Sequence, residues 1–379
     1  MILLSKKNEC TGCLACVSVG CAFLKAEYDE EGFIQPLVHE KCNDCGRCAK
    51  ACPQLVKEAL FNNYVPKHYA CVANDSSVLM RSSSGGLFSV LALNVIRKKG
   101  IVFGAAFNKY MQLKHVAVDK EENLSQLCGS KYLQSDVSGC YLKVKTFLDK
   151  GRYVLFCGLP CQIDGLNHYL GNKHSEYLIR VDILCKGAPS PGVFSTYLAH
   201  QEKIFREKIT NVNFRDKSFG WEKAVMCIHF ENGLMVKKPL TQTSFGAAFS
   251  TNLIMRESCY QCRYRGLQRV GDLSLGDCWG IKKESKFYSE KAKGVSLLSV
   301  NSTKGADLFA DILTSINYEP ADISTAVVNN SALRTSSYAN RKRARFFNGF
   351  RRNPQKALLR YTLIHRMLVF LRAKIRASK

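Results

Sequence analysis

Two cysteine runs near the start of the chain constrain it more than any other feature: Cys10-x2-Cys13-x2-Cys16-x4-Cys21 and Cys42-x2-Cys45-x2-Cys48-x3-Cys52-Pro53. A cubane iron–sulfur cluster needs thiolates converging from several sides. The C-x2-C-x2-C spacing wraps three corners with one tight loop and leaves the fourth thiolate to arrive from elsewhere. In the bacterial two-cluster pattern the last cysteine of each run ligates the other cluster. The spacing therefore assigns Cys10, Cys13, Cys16 and Cys52 to one 4Fe-4S cluster and Cys42, Cys45, Cys48 and Cys21 to a second. Zinc is the alternative, because paired C-x2-C elements also build tetrahedral sites; triplets with an outlying fourth ligand favour clusters. The first run departs from the pattern: four residues precede Cys21, and Ala22 stands where proline is usual. Cys21 is the ligand that this departure puts in question.

The 379 residues, 46% of them hydrophobic, suffice for two or three domains with real cores. Eighteen cysteines suggest a disulfide scaffold only in short secreted chains. Here the start MILLSKKNECTGC is too short for a signal sequence, which points to a reducing cytoplasm. No run of about eighteen apolar residues is present to span a bilayer. The formal charge of +24 overstates the basicity. Each oxidised 4Fe-4S centre with its thiolates adds roughly −2, so clusters and a flavin dinucleotide bring the total to roughly +16 to +18. Much of the excess is local: after Asp322 there are 14 Lys or Arg and no acidic residue.

Residues 1–62 read as the dicluster domain. From Tyr69 onward strands alternate with helices: strands at Tyr69–Ala73, Gly100–Phe107, His115–Asp119, Tyr153–Phe156 and Tyr177–Leu184, and helices at Ser84–Lys98, Cys140–Asp149 and Gln162–Leu170. Around Val212–Lys237 two β-rich runs flank Asn232-Gly233, a hairpin signal. The expected fold class is mixed α/β, or α+β. A small ferredoxin-like dicluster domain precedes a larger α/β domain (63–330) and a basic C-terminal helix in the tail (331–379).

Arg81-Ser82-Ser83-Ser84-Gly85-Gly86 opens a helical pattern, and its hydroxyls, unhindered N–H groups and positive dipole end suit a phosphate. An ordinary serine-capped helix start has the same composition. Gly129–Ser135 is a second polar segment, in which Lys131 suits a pyrophosphate and Tyr132 a stacked ring; a plain surface loop is the alternative. Cys157, Cys161, Cys185, Cys259, Cys262 and Cys278 fall at strand ends or nearby, where α/β folds keep their sites. They are candidates for a third metal centre.

The ordered segments SSSGGLFS (82–89), GSKYLQS (129–135), GLPCQIDGL (158–166), VDILCKGAPSP (181–191), NFRDKSFGW (213–221) and CYQCRYRGLQRVGDLSLGDCWG (259–280) resemble the coenzyme F-420 hydrogenase/dehydrogenase beta-subunit family over roughly residues 63–330. The resemblance implies FAD contacts at Ser83, Ser84, Gly85, Gly86, Ser130, Lys131, Tyr132 and Gln134, and a third 4Fe-4S cluster on Cys161, Cys185, Cys259 and Cys262. Leu159, Lys186 and Cys278 depart from the residues common at those family positions. Cys157 and Cys278 stay open as alternative ligands, whereas Cys71, Cys128, Cys140 and Cys227 read as small core residues.

Clusters pass single electrons, organic substrates take hydride, and a flavin does both. The chain therefore reads as an oxidoreductase linking a ferredoxin-type or other redox protein to a small molecule or a deazaflavin. The competing expectation is a non-catalytic electron-transfer subunit. Arg215, Lys217, Trp221 and Arg256 are candidates for gripping an acidic or planar substrate, against ordinary surface charges on a hairpin. The histidines show no metal spacing. Arg341–Arg345 leads into a basic amphipathic pattern over Pro354–Ser378, with Leu359, Leu363, Met367, Phe370 and Leu371 on one face. That pattern suits an anionic membrane surface, an acidic partner or docking on the core. No nucleic-acid recognition module accompanies the charge.

Overall fold

A computed structural model describes residues 4–56, 59–171 and 176–361. Its strands, in chain order, are β1 (Leu24–Tyr28), β2 (Ile34–Val38), β3 (Lys67–Ala73), β4 (Ile101–Phe107), β5 (Leu113–Val118), β6 (Val154–Gly158) and β7 (Leu178–Ile183). They continue as β8 (Ile209–Asp216), β9 (Val225–Phe230), β10 (Met235–Pro239), β11 (Leu273–Asp277), β12 (Ser296–Val300) and β13 (Ile316–Pro320). Among the described residues these make an eight-stranded sheet ordered β13-β3-β12-β11-β7-β6-β4-β5, a three-stranded sheet β10-β9-β8 and the hairpin β1-β2. The four central strands β11, β7, β6 and β4 run parallel, and antiparallel strands flank them on both sides. The mixed α/β class expected from the sequence is borne out.

The large sheet is buried on both faces, which is why its central strands are almost continuously apolar. Along β4 and β6 the side chains alternate between two cores: Val102 and Leu155 pack with the helix Leu87–Arg97, while Ile101, Phe103, Val154 and Phe156 pack with the helices Cys140–Asp149 and Pro160–Leu170. A third core joins the three-stranded sheet to the helix Pro191–Phe205. The hairpin read at Asn232-Gly233 forms, with Gly233 at φ 85°. The helix expected from Ser84 starts later, at Leu87, because Gly86 sits in the left-handed region at φ 87° and leaves the first turn without a side-chain cap.

The cysteine-rich segment is packed into the rest of the chain. Cys13, Leu14 and Ala15 belong to the same core as Phe156 and Ile163. A Cβ on Gly165 would lie only 2.9 Å from the Cβ of Cys13, so the helix Pro160–Leu170 approaches the first cysteine loop as closely as backbone allows. The β1–β2 turn docks similarly: the Ser190 hydroxyl donates to the Glu31 carbonyl, and a Cβ on Gly32 would meet the Cα of Gly192 at 2.5 Å.

The described part of the basic tail is also embedded. Phe346, Phe347 and Phe350 of the helix Arg343–Arg352 are buried with Phe33 and Val193, and Leu358 joins them. Arg343 is itself buried and paired with Glu31, so the Arg341–Arg345 run is not a uniformly solvated basic patch. The larger part of the expected amphipathic helix, including Leu363, Met367, Phe370 and Leu371, lies outside the described residues. No helix among the described residues is long and apolar enough to cross a membrane.

Candidate redox site

The first thiol set begins in the loop Cys10–Cys16. Positive φ at Gly12 (66°) and Leu14 (56°) curls the backbone before the short helix Ala15–Ser18. Cys10, Cys13 and Cys16 are buried, as is Cys52, which follows the helix Arg47–Lys50. Burial pushes the Cys13 thiol up to about 12, and its neighbours Cys10 and Cys52 add to the rise. The same neighbours act on Cys16. Four mutually adjacent buried thiols become thiolates only with strong positive charge among them, which is the condition a cluster supplies. In the second set Cys42 and Cys21 stand beside Cys48, whose thiol is raised first by burial. The turn through Gly20, at φ 73°, thus brings Cys21 alongside the second run despite its extra spacer residue. Cys45 is exposed.

The third set gathers from three distant segments. Cys161 opens the helix after β6, Cys185 follows the end of β7, and Cys259 and Cys262 lie in and after the turn Glu257–Gln261. All four line one small cavity of about 40 Å³. Burial raises the Cys185 thiol to about 12, with Cys259 and Cys262 contributing. Cys161 senses Cys185, Cys262 and Cys259, and also Cys13 of the first set. The Ala188 N–H donates to Cys259 Sγ at 3.3 Å, and the Gly12 N–H to Cys10 Sγ at 3.4 Å. Such bonds orient sulfur ligands. Among the described residues no three His, Cys, Asp or Glu close around a point that would hold a single metal ion. Cys278 is packed elsewhere, near Cys71 and Val295.

A second cavity, of about 500 Å³, opens at the carboxyl ends of the parallel strands, where open α/β sheets bind ligands. Its wall includes Gly104 and Ala105 of β4, Cys157 and Gly158 of β6, Cys185 beyond β7, and Asp277 of β11. Six of the eight expected flavin contacts line it: Ser83, Ser84, Gly86, Ser130, Lys131 and Tyr132. The Ser130 N–H donates to Ser83 Oγ at 2.6 Å, which ties the two polar loops together. Gly85 stands behind the wall, where a Cβ would lie 2.2 Å from the Cys71 carbonyl oxygen. Gln134 faces away: its amide donates to the Thr11 and Gly12 carbonyls and so secures the first cysteine loop.

The cavity is cationic. Lys131 stands half-buried in its wall, donates to the Gln126 and Cys128 carbonyls, and is lowered to about 8 by desolvation. Lys186 donates to the Ser250 carbonyl, lies over the Phe249 ring and is likewise lowered to about 8 by burial. Neither lysine pairs with a carboxylate among the described residues. Lys131, next to the Ser130 that bonds Ser83, and the uncapped N-terminus of Leu87–Arg97 form a cradle suited to an anionic phosphate, and Lys186 adds positive charge elsewhere in the wall. The residues present therefore fit a flavin dinucleotide. Tyr132 already stacks on Phe249, with ring centroids 5.1 Å apart, so one of its faces is covered.

Of the expected substrate-gripping residues, Arg215 alone lines the cavity, bonded to Tyr132 and to Asp277 at 2.8 Å. Lys217 spends its ammonium on the backbone carbonyls of Leu79, Ser84 and Lys293. Trp221 is buried and stacked at 4.3 Å on Trp279, which does line the cavity. Arg256 is buried beside the first cysteine loop instead. Two wall residues carry no role in the sequence reading. Lys186 stands out there only as a departure, and His115 gives no signal at all. His115 accepts from the Ser135 hydroxyl at 2.7 Å and donates to the Cys157 carbonyl at 2.9 Å; burial lowers it to about 4 and keeps it neutral.

Residues 151–326 match the family described as the C-terminal part of the coenzyme F420 hydrogenase/dehydrogenase beta subunit. The resemblance read from the sequence is borne out over this stretch. It carries β6, β7 and β11 with all four cysteines of the third set. Among solved structures the chain is similar to one from "Xenon derivatization of the F420-reducing [NiFe] hydrogenase complex from Methanosarcina barkeri", at 14% identity and a TM-score of 0.49, covering 73% of this chain and 91% of that one. No curated protein matches the chain.

Proposed function

We propose that the chain is an iron–sulfur flavoprotein oxidoreductase that exchanges electrons between a ferredoxin-type or other redox protein and a small organic hydride acceptor or donor, a deazaflavin of the coenzyme F420 kind being the first candidate. The observation that carries this reading is the position of Cys185, which lines both the small cavity of the third thiol set and the large cationic cavity. The sets stand in series: Cys48 packs with Cys16, Cys13 lies beside Cys161, and Cys185 borders the large cavity. Cys45 leaves the outer end of the series at the surface, accessible to a partner protein. The domain division follows the same reading, with the dicluster unit at 1–62, the flavin and third-cluster unit at 63–330 and the tail at 331–379.

When bound, FAD supplies the conversion between single electrons and hydride. The chain's own residues do the holding. Ser83, Ser84, Gly86, Ser130 and Lys131 form the phosphate cradle, and Arg215 is fixed against Tyr132 and Asp277. Burial holds His115 neutral while its two hydrogen bonds fix the ring, which leaves it no charge to set against an anion.

Anaerobically purified protein is expected to hold roughly twelve irons, in three four-iron clusters, and one FAD per chain. Reduced deazaflavin should bleach that FAD. Fewer than about eight irons would remove the dicluster assignment, and a loaded protein whose flavin stays oxidised would favour an electron-transfer subunit. The lysine cradle predicts a pH dependence. Burial lowers Lys131 to about 8, so the free lysine loses its proton above that pH, and an anion bound beside it restores the charge by proton uptake. FAD affinity of stripped protein should fall as pH rises through 8, by up to roughly tenfold per pH unit for one linked proton. Titrations of Lys131→Met should show a shallower slope.

A further inference from the structure

Arg256 is 2% exposed, one of the largest fully buried side chains in the protein. Its guanidinium donates to Gln134 Oε1 at 3.0 Å and to the Ile34 carbonyl at 2.9 Å, and it lies 4.8 Å from the centre of the Phe33 ring. Its Nη1 has no hydrogen-bond partner, and no carboxylate pairs with it among the described residues. An unpaired buried charge is strongly unfavourable. Two cysteine segments lie against this one. A Cβ on Gly12, between Cys10 and Cys13, would lie 2.6 Å from Arg256 Nη2, and the cation acts on the Cys10 thiol. At its own backbone the Cys259 N–H donates to the Arg256 carbonyl at 3.0 Å, and Cys259 also senses the guanidinium. The neighbouring Ser258 hydroxyl donates to the Cys10 carbonyl at 3.0 Å, so the two cysteine segments are stitched together around this side chain.

We propose that Arg256 is the counter-charge shared by the Cys10/Cys13/Cys16/Cys52 and Cys161/Cys185/Cys259/Cys262 sets, and that it raises the midpoint potentials of the clusters they hold. The inference rests on the functional reading above. Each reduction adds one electron, and hence one negative charge, beside the guanidinium. A fixed cation in a dry setting favours that added charge and relieves the repulsion between two anionic clusters. Arg256 is not among the charges that act on Cys48, and the outer set to which Cys48 belongs serves as an internal reference.

The test is an electron-paramagnetic-resonance redox titration of wild type, Arg256→Gln and Arg256→Lys, with iron and sulfide measured on each. In Arg256→Gln, two of the three one-electron reduction constants should fall at least about tenfold, equivalent to about 59 mV each. The third should hold, and Arg256→Lys should stay close to wild type. Unchanged potentials in loaded Arg256→Gln, or equal shifts of all three, would overturn the proposal. If Arg256→Gln does not load, Arg256→Lys decides: restored iron and potentials support the shared charge, and an equally empty lysine variant overturns it. Wild type lacking the inner clusters overturns the functional reading and this inference with it, a result distinguishable from loaded protein with unmoved potentials.

Discussion

Cys185→Ala is expected to lower the iron content from roughly twelve to roughly eight per chain while leaving the signals of the two N-terminal clusters in place. Flavin reduction by a ferredoxin-type donor should slow by more than roughly 100-fold. Loss of a mere outer-shell partner of a metal ligand already costs 10–100-fold, and here the ligand itself is removed. The expectation follows from position. Cys185 is the thiol that borders both the small cavity and the large one, so its loss removes the sulfur between them. Alanine avoids the substitute ligand a serine oxygen would offer. Cys278→Ala should leave iron unchanged, because Cys278 packs with Ala70 and Val295 in another core. Cys157→Ala should do the same, since Cys157 faces only the large cavity. An unaltered iron count in Cys185→Ala, or a loss in Cys157→Ala, would reassign the ligand set.

Asp182→Asn should destabilise the protein by about 3–5 kcal/mol, measured by denaturant unfolding at neutral pH, because it strands a buried cation. Asp182 lies at the centre of the large sheet on β7, fully buried, and accepts from Arg269 and from the Gly271 N–H at 2.9 Å. Arg269 is 4% exposed and also donates to the Tyr264 and Ile183 carbonyls. The pair therefore clamps the segment that follows Cys262 onto the strand that leads to Cys185. Weakened retention of the third cluster should accompany the loss of stability. Replacing both partners with apolar residues of similar volume should cost less than the single change, since neither charge is then left unpaired. A single variant as stable as wild type would show that the pair is not needed.

Much of the fold was legible. Helix Cys140–Asp149 and strands such as Ile101–Phe107 follow from apolar periodicity that is satisfied locally, and the Asn232-Gly233 turn from a positive φ that glycine accepts without strain. The polar residues Ser83, Ser84, Gly86 and Ser130–Tyr132 that line the large cavity were likewise marked by composition. His115 was not, because its significance comes from Ser135 and the Cys157 carbonyl, which the fold brings to it. Gln134 and Arg256 read from the sequence as facing a ligand, and do not, because polarity says nothing about direction. Both turn toward the first cysteine loop, far from them along the chain.

The sequence by itself marked the two N-terminal cysteine runs as candidate ligand sets, since ligand spacing within a tight loop is a local property of the backbone. It also marked Cys21 as the ligand that needed checking. Only the tertiary structure decided how Cys21 reaches Cys42 and Cys48, that Cys161, Cys185, Cys259 and Cys262 share one cavity, and that Cys13 lies against Cys161. The physical reason is that these neighbours come from separate segments, and no local pattern records which buried charges and sulfurs will meet when strands β6, β7 and β11 pair.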